Sequence, residues 1–105
     1  MDKPIPAPDV IVRLHLIRTE DGGRRQPIRS YESHGYGCLL PIDAEYFDCR
    51  WLLAEDEILA PGTQHRVAIK FLDRSLVEPR LVVGKNIKMW EGKVIADGLI
   101  EEVFC

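Results

Sequence analysis

Residues 10–17 alternate without a break. Val10, Val12, Leu14 and Leu16 fall on one side, and Ile11, Arg13, His15 and Ile17 on the other. Successive side chains of a strand point to opposite faces, so a period of two over this length is a strand with one face toward a core. The pattern returns where Val67, Ile69 and Phe71 alternate with Arg66, Ala68 and Lys70. Phe47, Cys49, Trp51 and Leu53 also share a strand face, although Asp43-Ala44-Glu45 before them could cap a short helix instead. Shorter strands are expected at Ile28 to Glu32, Tyr36 to Leu40, Val77 to Val83, Ile87 to Trp90 and Lys93 to Ile100. Pro41 is expected to end the second of these, and Pro79 to make the start of the 77–83 run an edge. Thr19-Glu20-Asp21-Gly22-Gly23, Pro61-Gly62, Gly84-Lys85-Asn86 and Glu91-Gly92 punctuate the runs with turn chemistry. About seven short strands at spacings near 8–12 residues describe an all-β barrel or sandwich.

One domain accounts for the 105 residues, because single domains cluster at roughly 100–150. Residues 1–8 hold Pro4, Pro6 and Pro8 and read as an extended N-terminal arm, leaving 9–105 for the β-barrel domain. No apolar run approaches the ~20 residues of a membrane span, and the start lacks a leader's apolar stretch. Cys38, Cys49 and Cys105 are odd in number and widely spaced, which favours reduced thiols and a cytoplasmic setting over a disulfide framework. A formal net charge of -3 argues against a generic polyanion binder, while leaving room for a local basic patch.

Chemistry-bearing patterns are sparse. His34, Cys38 and Cys49 do not follow a zinc spacing, and cysteines in apolar strands behave as small buried hydrophobes. His15, His34 and His65 flank strands at ends or outward positions. Glu55-Asp56-Glu57 reads as a solvated run, and no Gly-x-Ser-x-Gly elbow is present. No enzyme, metal or cofactor is expected on these grounds. Trp51, Phe47, Phe71 and Phe104 are expected in the core or at the barrel seam. Trp90, beside a hairpin turn, is either folded onto the barrel end or an exposed anchor.

Motif order adds a family. A strand followed by Glu20-Asp21-Gly22-Gly23-Arg24, then Pro27 and Tyr31, resembles the start of the third domain of elongation factor Tu. Leu59-Ala60-Pro61-Gly62, followed by Val67, Ile69 and Phe71, is similar to that domain's Pro-Gly turn and the strand after it. The segment Ile87-Lys88-Met89-Trp90-Glu91-Gly92-Lys93-Val94-Ile95-Ala96-Asp97-Gly98-Leu99-Ile100 resembles its closing hairpin. Trp90, Val94 and Ala96 replace the family's arginine, threonine and first glycine. One hairpin glycine is missing, and residues 78–86 fit loosely. The resemblance spans about residues 9–104 and implies a closed six-stranded antiparallel barrel.

That family's GTPase domain has no counterpart here. The chain contains no Gly-x4-Gly-Lys-[Ser/Thr] loop, so GTP binding is not expected. In the family the domain contacts partner proteins and the T-stem side of tRNA. The resemblance places such contacts at Arg24, Arg25 and Arg29, with Tyr31 and Lys93 nearby, and an exposed Trp90 beside the hairpin turn would add an aromatic anchor. The expectation is a non-catalytic interaction module that holds a protein partner. The alternative is a translation-linked tRNA or RNA binder using the Arg24–Arg29 loop, since arginine grips phosphate bidentately.

Overall fold

The computed structural model describes residues 7–30 and 35–104. Its strands are β1 (Val10–Leu16), β2 (Ile28–Arg29), β3 (Gly35–Ile42), β4 (Glu45–Leu52), β5 (Ile58–Leu59), β6 (Gln64–Phe71), β7 (Asn86–Trp90) and β8 (Val94–Val103). Six of them close a barrel in the order β1-β6-β4-β3-β7-β8, every neighbouring pair antiparallel. Closure removes the sheet edges that an open sheet would expose. Most of the expected arm, residues 1–6, lies outside the described residues. Among the described residues no helix is long and apolar enough to cross a membrane.

The alternation seen in the sequence is what fills the interior. Val10, Val12, Leu14 and Leu16 point inward from β1, and Val67, Ile69 and Phe71 from β6. Phe47, Cys49 and Trp51 do so from β4, meeting Leu40 and Ile42 from β3, Ile87 and Met89 from β7, and Ile95 and Ile100 from β8. The two-stranded β2–β5 sheet contributes the buried Ile28 and Leu59 to the same core. Trp51 is wholly buried and meets Tyr36 edge-on at 5.3 Å between ring centroids, while its Nε1 has no hydrogen-bond partner.

Three expectations are corrected. Residues 77–83 are not a strand: a one-turn helix α1 (Arg74–Val77) is followed by a 3-10 turn over Glu78–Arg80. Asp73 caps the helix by accepting from the Ser75 amide at 3.1 Å, and Pro79 sits where a 3-10 turn tolerates it. Val77 is still buried, which is why the segment resembles a strand. Phe104, expected in the core or at the seam, is exposed at the end of β8. Pro41 does not end its strand. β3 runs on to Ile42, and Pro41 pairs with Tyr46.

The register explains this last correction. The β3–β4 hairpin turns on Asp43 and Ala44, both left-handed at φ 50° and 67°, as a two-residue type I′ turn requires. Ile42 and Glu45 then form the closing hydrogen-bonded pair, so position 41 faces away from β4, toward β7. Proline has no amide to offer there. The β3–β7 ladder accordingly consists of one pair, Leu39 with Trp90.

Alanine at φ 67° is a strained choice for that turn. Ala44→Gly is expected to stabilise the fold by about 1 kcal/mol, because relief of the Cβ clash exceeds glycine's extra unfolded-state entropy. A chemical-denaturation midpoint that stays the same or falls would contradict the turn geometry.

The other anchor is Asp9, just before β1. Its carboxylate is buried, accepting from the Phe71 amide at 2.8 Å, Lys70 Nζ at 3.3 Å and Arg74 Nη1 at 3.2 Å. Its own amide donates to the Ile69 carbonyl, and its carbonyl accepts from the Phe104 amide. One residue thus ties together the start of β1, the end of β6, α1 and the chain after β8.

Candidate interaction surface

The loop after β1 carries Arg24 and Arg25. Thr19–Asp21 make one 3-10 turn, Gly22 leaves it at φ 96°, and the Thr19 hydroxyl donates to the Arg24 carbonyl at 2.6 Å. The loop is not free-standing. Arg24 is half-buried, with its guanidinium 5.2 Å from the Tyr36 ring centroid. Arg24 Nη1 donates to Tyr36 Oη at 2.8 Å and to Glu91 Oε1 at 2.6 Å. The Tyr36 hydroxyl donates in turn to the other Glu91 oxygen. Burial and the Glu91 carboxylate push the Tyr36 phenol above its ordinary value, only partly offset by the Arg24 charge. Tyr36 therefore stays a neutral donor through the physiological range.

Lys93 completes the latch, its Nζ donating to the Gly23 carbonyl at 3.1 Å. The β7–β8 hairpin and the arginine loop are therefore clasped to each other. Of the residues that the sequence singles out, Arg24 and Lys93 are spent on this clasp. Arg25 and Arg29 stand exposed, with no ion pair among the described residues. Tyr31 lies outside the described residues.

Trp90 occupies a different face. It is partly exposed, stands in register with Leu39, and its ring lies 5.4 Å from that of Tyr46. Tyr46 is 56% exposed. Leu39 and Pro41, outward from β3 and only partly exposed, flank the pair, so Leu39, Pro41, Tyr46 and Trp90 form an apolar and aromatic patch, with Asp48 across from Leu39 at its edge. A groove of about 530 Å³ lies over the β7–β8 ladder, lined by Asn86, Ile87 and Lys88 of β7 and Asp97, Gly98 and Leu99 of β8, with Pro41 of β3 at its border. An aromatic face beside an open groove is the usual setting of a binding anchor.

The sequence singles out Trp90 but not the Tyr46 ring it contacts, nor Tyr36 and Glu91 in the clasp. Tyr46 has a legible signal, because it directly precedes the inward Phe47 and so must face solvent. Glu91 has none, since its contact spans 67 residues of chain.

His15 faces Asp97 at 3.8 Å on the surface, and the His65 Nε2 contacts the Thr63 hydroxyl at 2.7 Å. Among the described residues no group of three or more His, Cys, Asp or Glu side chains is placed to hold a metal ion. Compared with known proteins, the chain matches no family model and no curated sequence.

Proposed function

We propose that this barrel is a non-catalytic interaction module of the cytoplasm, docking a protein partner on the Trp90–Tyr46 face. The observation that carries the reading is the solvent-facing aromatic pair at the clasped hairpin, with the groove over the β7–β8 ladder on the same side of Pro41. Rigid aromatics lose little entropy on binding and dominate interface energetics. The partner that suits it presents an extended apolar segment, which the groove can receive lengthwise. The resemblance to the third domain of elongation factor Tu supports the same reading, since that family's domain contacts partner proteins.

A second reading, tRNA or RNA binding, is favoured by the free Arg25 and Arg29. Commitment of Arg24 and Lys93 to the clasp weakens it, as does the net charge of -3.

The test is to identify the partner from native lysate and titrate it against variants. Trp90→Ala is expected to weaken binding by about 2 kcal/mol or more, at least thirtyfold, while Arg25→Ala with Arg29→Ala changes it less than threefold. Micromolar tRNA binding that is lost in the double arginine variant, with a log–log salt slope near about -1.4 for two single-strand contacts, would replace this reading with the second.

A further inference from the structure

Three sulfur atoms meet inside the barrel wall. Cys38 and Cys49 face each other across β3 and β4, with their Sγ atoms 3.9 Å apart. The Met89 Sδ on β7 lies 3.8 Å from the Cys38 Sγ and 4.0 Å from the Cys49 Sγ. The triangle is nearly equilateral. Its centre is about 2.3 Å from each sulfur, the length of a metal–thiolate bond, about 2.3 Å for zinc. We propose that Cys38, Cys49 and Met89 form a trigonal site for a soft monovalent cation, copper(I).

The donor set decides the metal. Two thiolates and a thioether are soft ligands, which select copper(I) over hard cations. Zinc wants four ligands in a tetrahedron, and the cluster offers three, one of them an uncharged thioether. Copper(I) has a filled d shell and accepts three ligands in a plane.

Binding balances without an oxidant. Each thiol releases one proton to solvent as its sulfur takes the cation, copper stays in the +1 state, and the loaded site carries one net negative charge. Arg50 and Lys70 pair across β4 and β6 one position beyond the Cys49–Phe71 pair. With Asp48 they line a surface groove of about 690 Å³ that also borders Cys38 and Cys49; Lys70 is held by Asp9, which leaves the Arg50 charge beside the loaded site. Cys38 is only partly buried, which gives the cation a way in.

Sulfur packing alone would bring the same atoms together, and metal uptake separates the two. The protein is held reduced and anaerobic with Cys105→Ser as background, removing the third cysteine. Copper(I), supplied as its acetonitrile complex, is titrated against a copper(I)-specific chelator. One equivalent is expected to bind, with a thiolate-to-copper charge-transfer band. X-ray absorption should give three sulfurs at about 2.3 Å.

Met89→Leu conserves volume, so the fold is expected to persist, confirmed by an unchanged far-ultraviolet spectrum. Its copper affinity should fall at least tenfold, and its absorption spectrum should fit two sulfurs. Cys38→Ala, at the more exposed cysteine, should abolish chelator-resistant binding. The proposal is overturned if no copper is held against the chelator, if Met89→Leu and Cys38→Ala hold it as tightly as the parent, or if a Cys38–Cys49 disulfide persists under reductant and leaves copper unbound.

Discussion

Asp9→Ala is expected to cost the fold about 3 kcal/mol, lowering the melting temperature by roughly 10–20 °C. The magnitude comes from what the variant leaves behind. The Phe71 amide is buried and would lose its acceptor, a penalty of about 1–3 kcal/mol by itself. Arg74 would lose one of its anions, although it keeps the Phe104 carbonyl and a longer contact to Glu78 at 3.6 Å. Lys70 is partly exposed and can turn to water, so its loss adds little. Strand β1 would also lose the tether fixing its first residue against β6. A melting temperature within a few degrees of the parent would mean that the carboxylate is not held as described.

The same residue sets the acid limb of stability. Burial alone would raise the Asp9 pKa. The Phe71 amide and the Lys70 and Arg74 donors outweigh it and bring the value below the ordinary aspartate range. A carboxylate with a depressed folded pKa contributes stability that is complete above its unfolded value. That contribution is lost as pH falls from about 4 through the folded value. Asp9→Asn should therefore be less stable at neutral pH and show a flatter decline below pH 4. Glu101, pulled down chiefly by the Arg66 hydrogen bond, and Glu20, by that of Arg18, still titrate there and keep the slope from vanishing.

Asp9 also shows where reading a sequence stops. Its neighbours in the chain are a proline and a valine, and nothing local marks it as buried. Its partners stand more than 60 positions away. The strands were legible because alternation is local: β1, β6, the inward face of β4 and the β7–β8 hairpin follow from period two and their turn residues. The β2–β5 sheet has two residues per strand, too few to show a period. The helix at Arg74–Val77 is one turn long, too short for a 3.6-residue pattern, and only the Asp73 cap gives a cue. The aromatic patch was half legible. Trp90 stood out as a bulky residue beside a turn. The clasp that commits Arg24 and Lys93 depends on barrel closure, which brings the first loop beside the last hairpin.

Closure itself hinges on a glycine. Gly98→Ala is expected to cost more than about 3 kcal/mol, at or beyond the upper end of overpacking effects. A Cβ at this position would lie 1.8 Å from the Arg13 carbonyl oxygen, 2.8 Å from its carbon and 3.0 Å from the Leu14 Cα. All three are backbone atoms of β1, so no side chain can swing away. Gly98 also stands in two ladders at once, opposite Leu14 of β1 and Ile87 of β7. Moving β8 outward to admit a methyl would strain the seam that closes the barrel and shift the hairpin carrying Trp90. Gly37→Ala is the control. It is also a strand glycine, but its nearest obstacle is the Cys49 carbonyl oxygen at 4.0 Å, so that variant should stay within about 1 kcal/mol of the parent. Urea midpoints for the two variants measure the contrast directly. Equal midpoints would mean that strand glycines here act only through backbone entropy, and that the close approach of β8 to β1 does not hold the barrel shut.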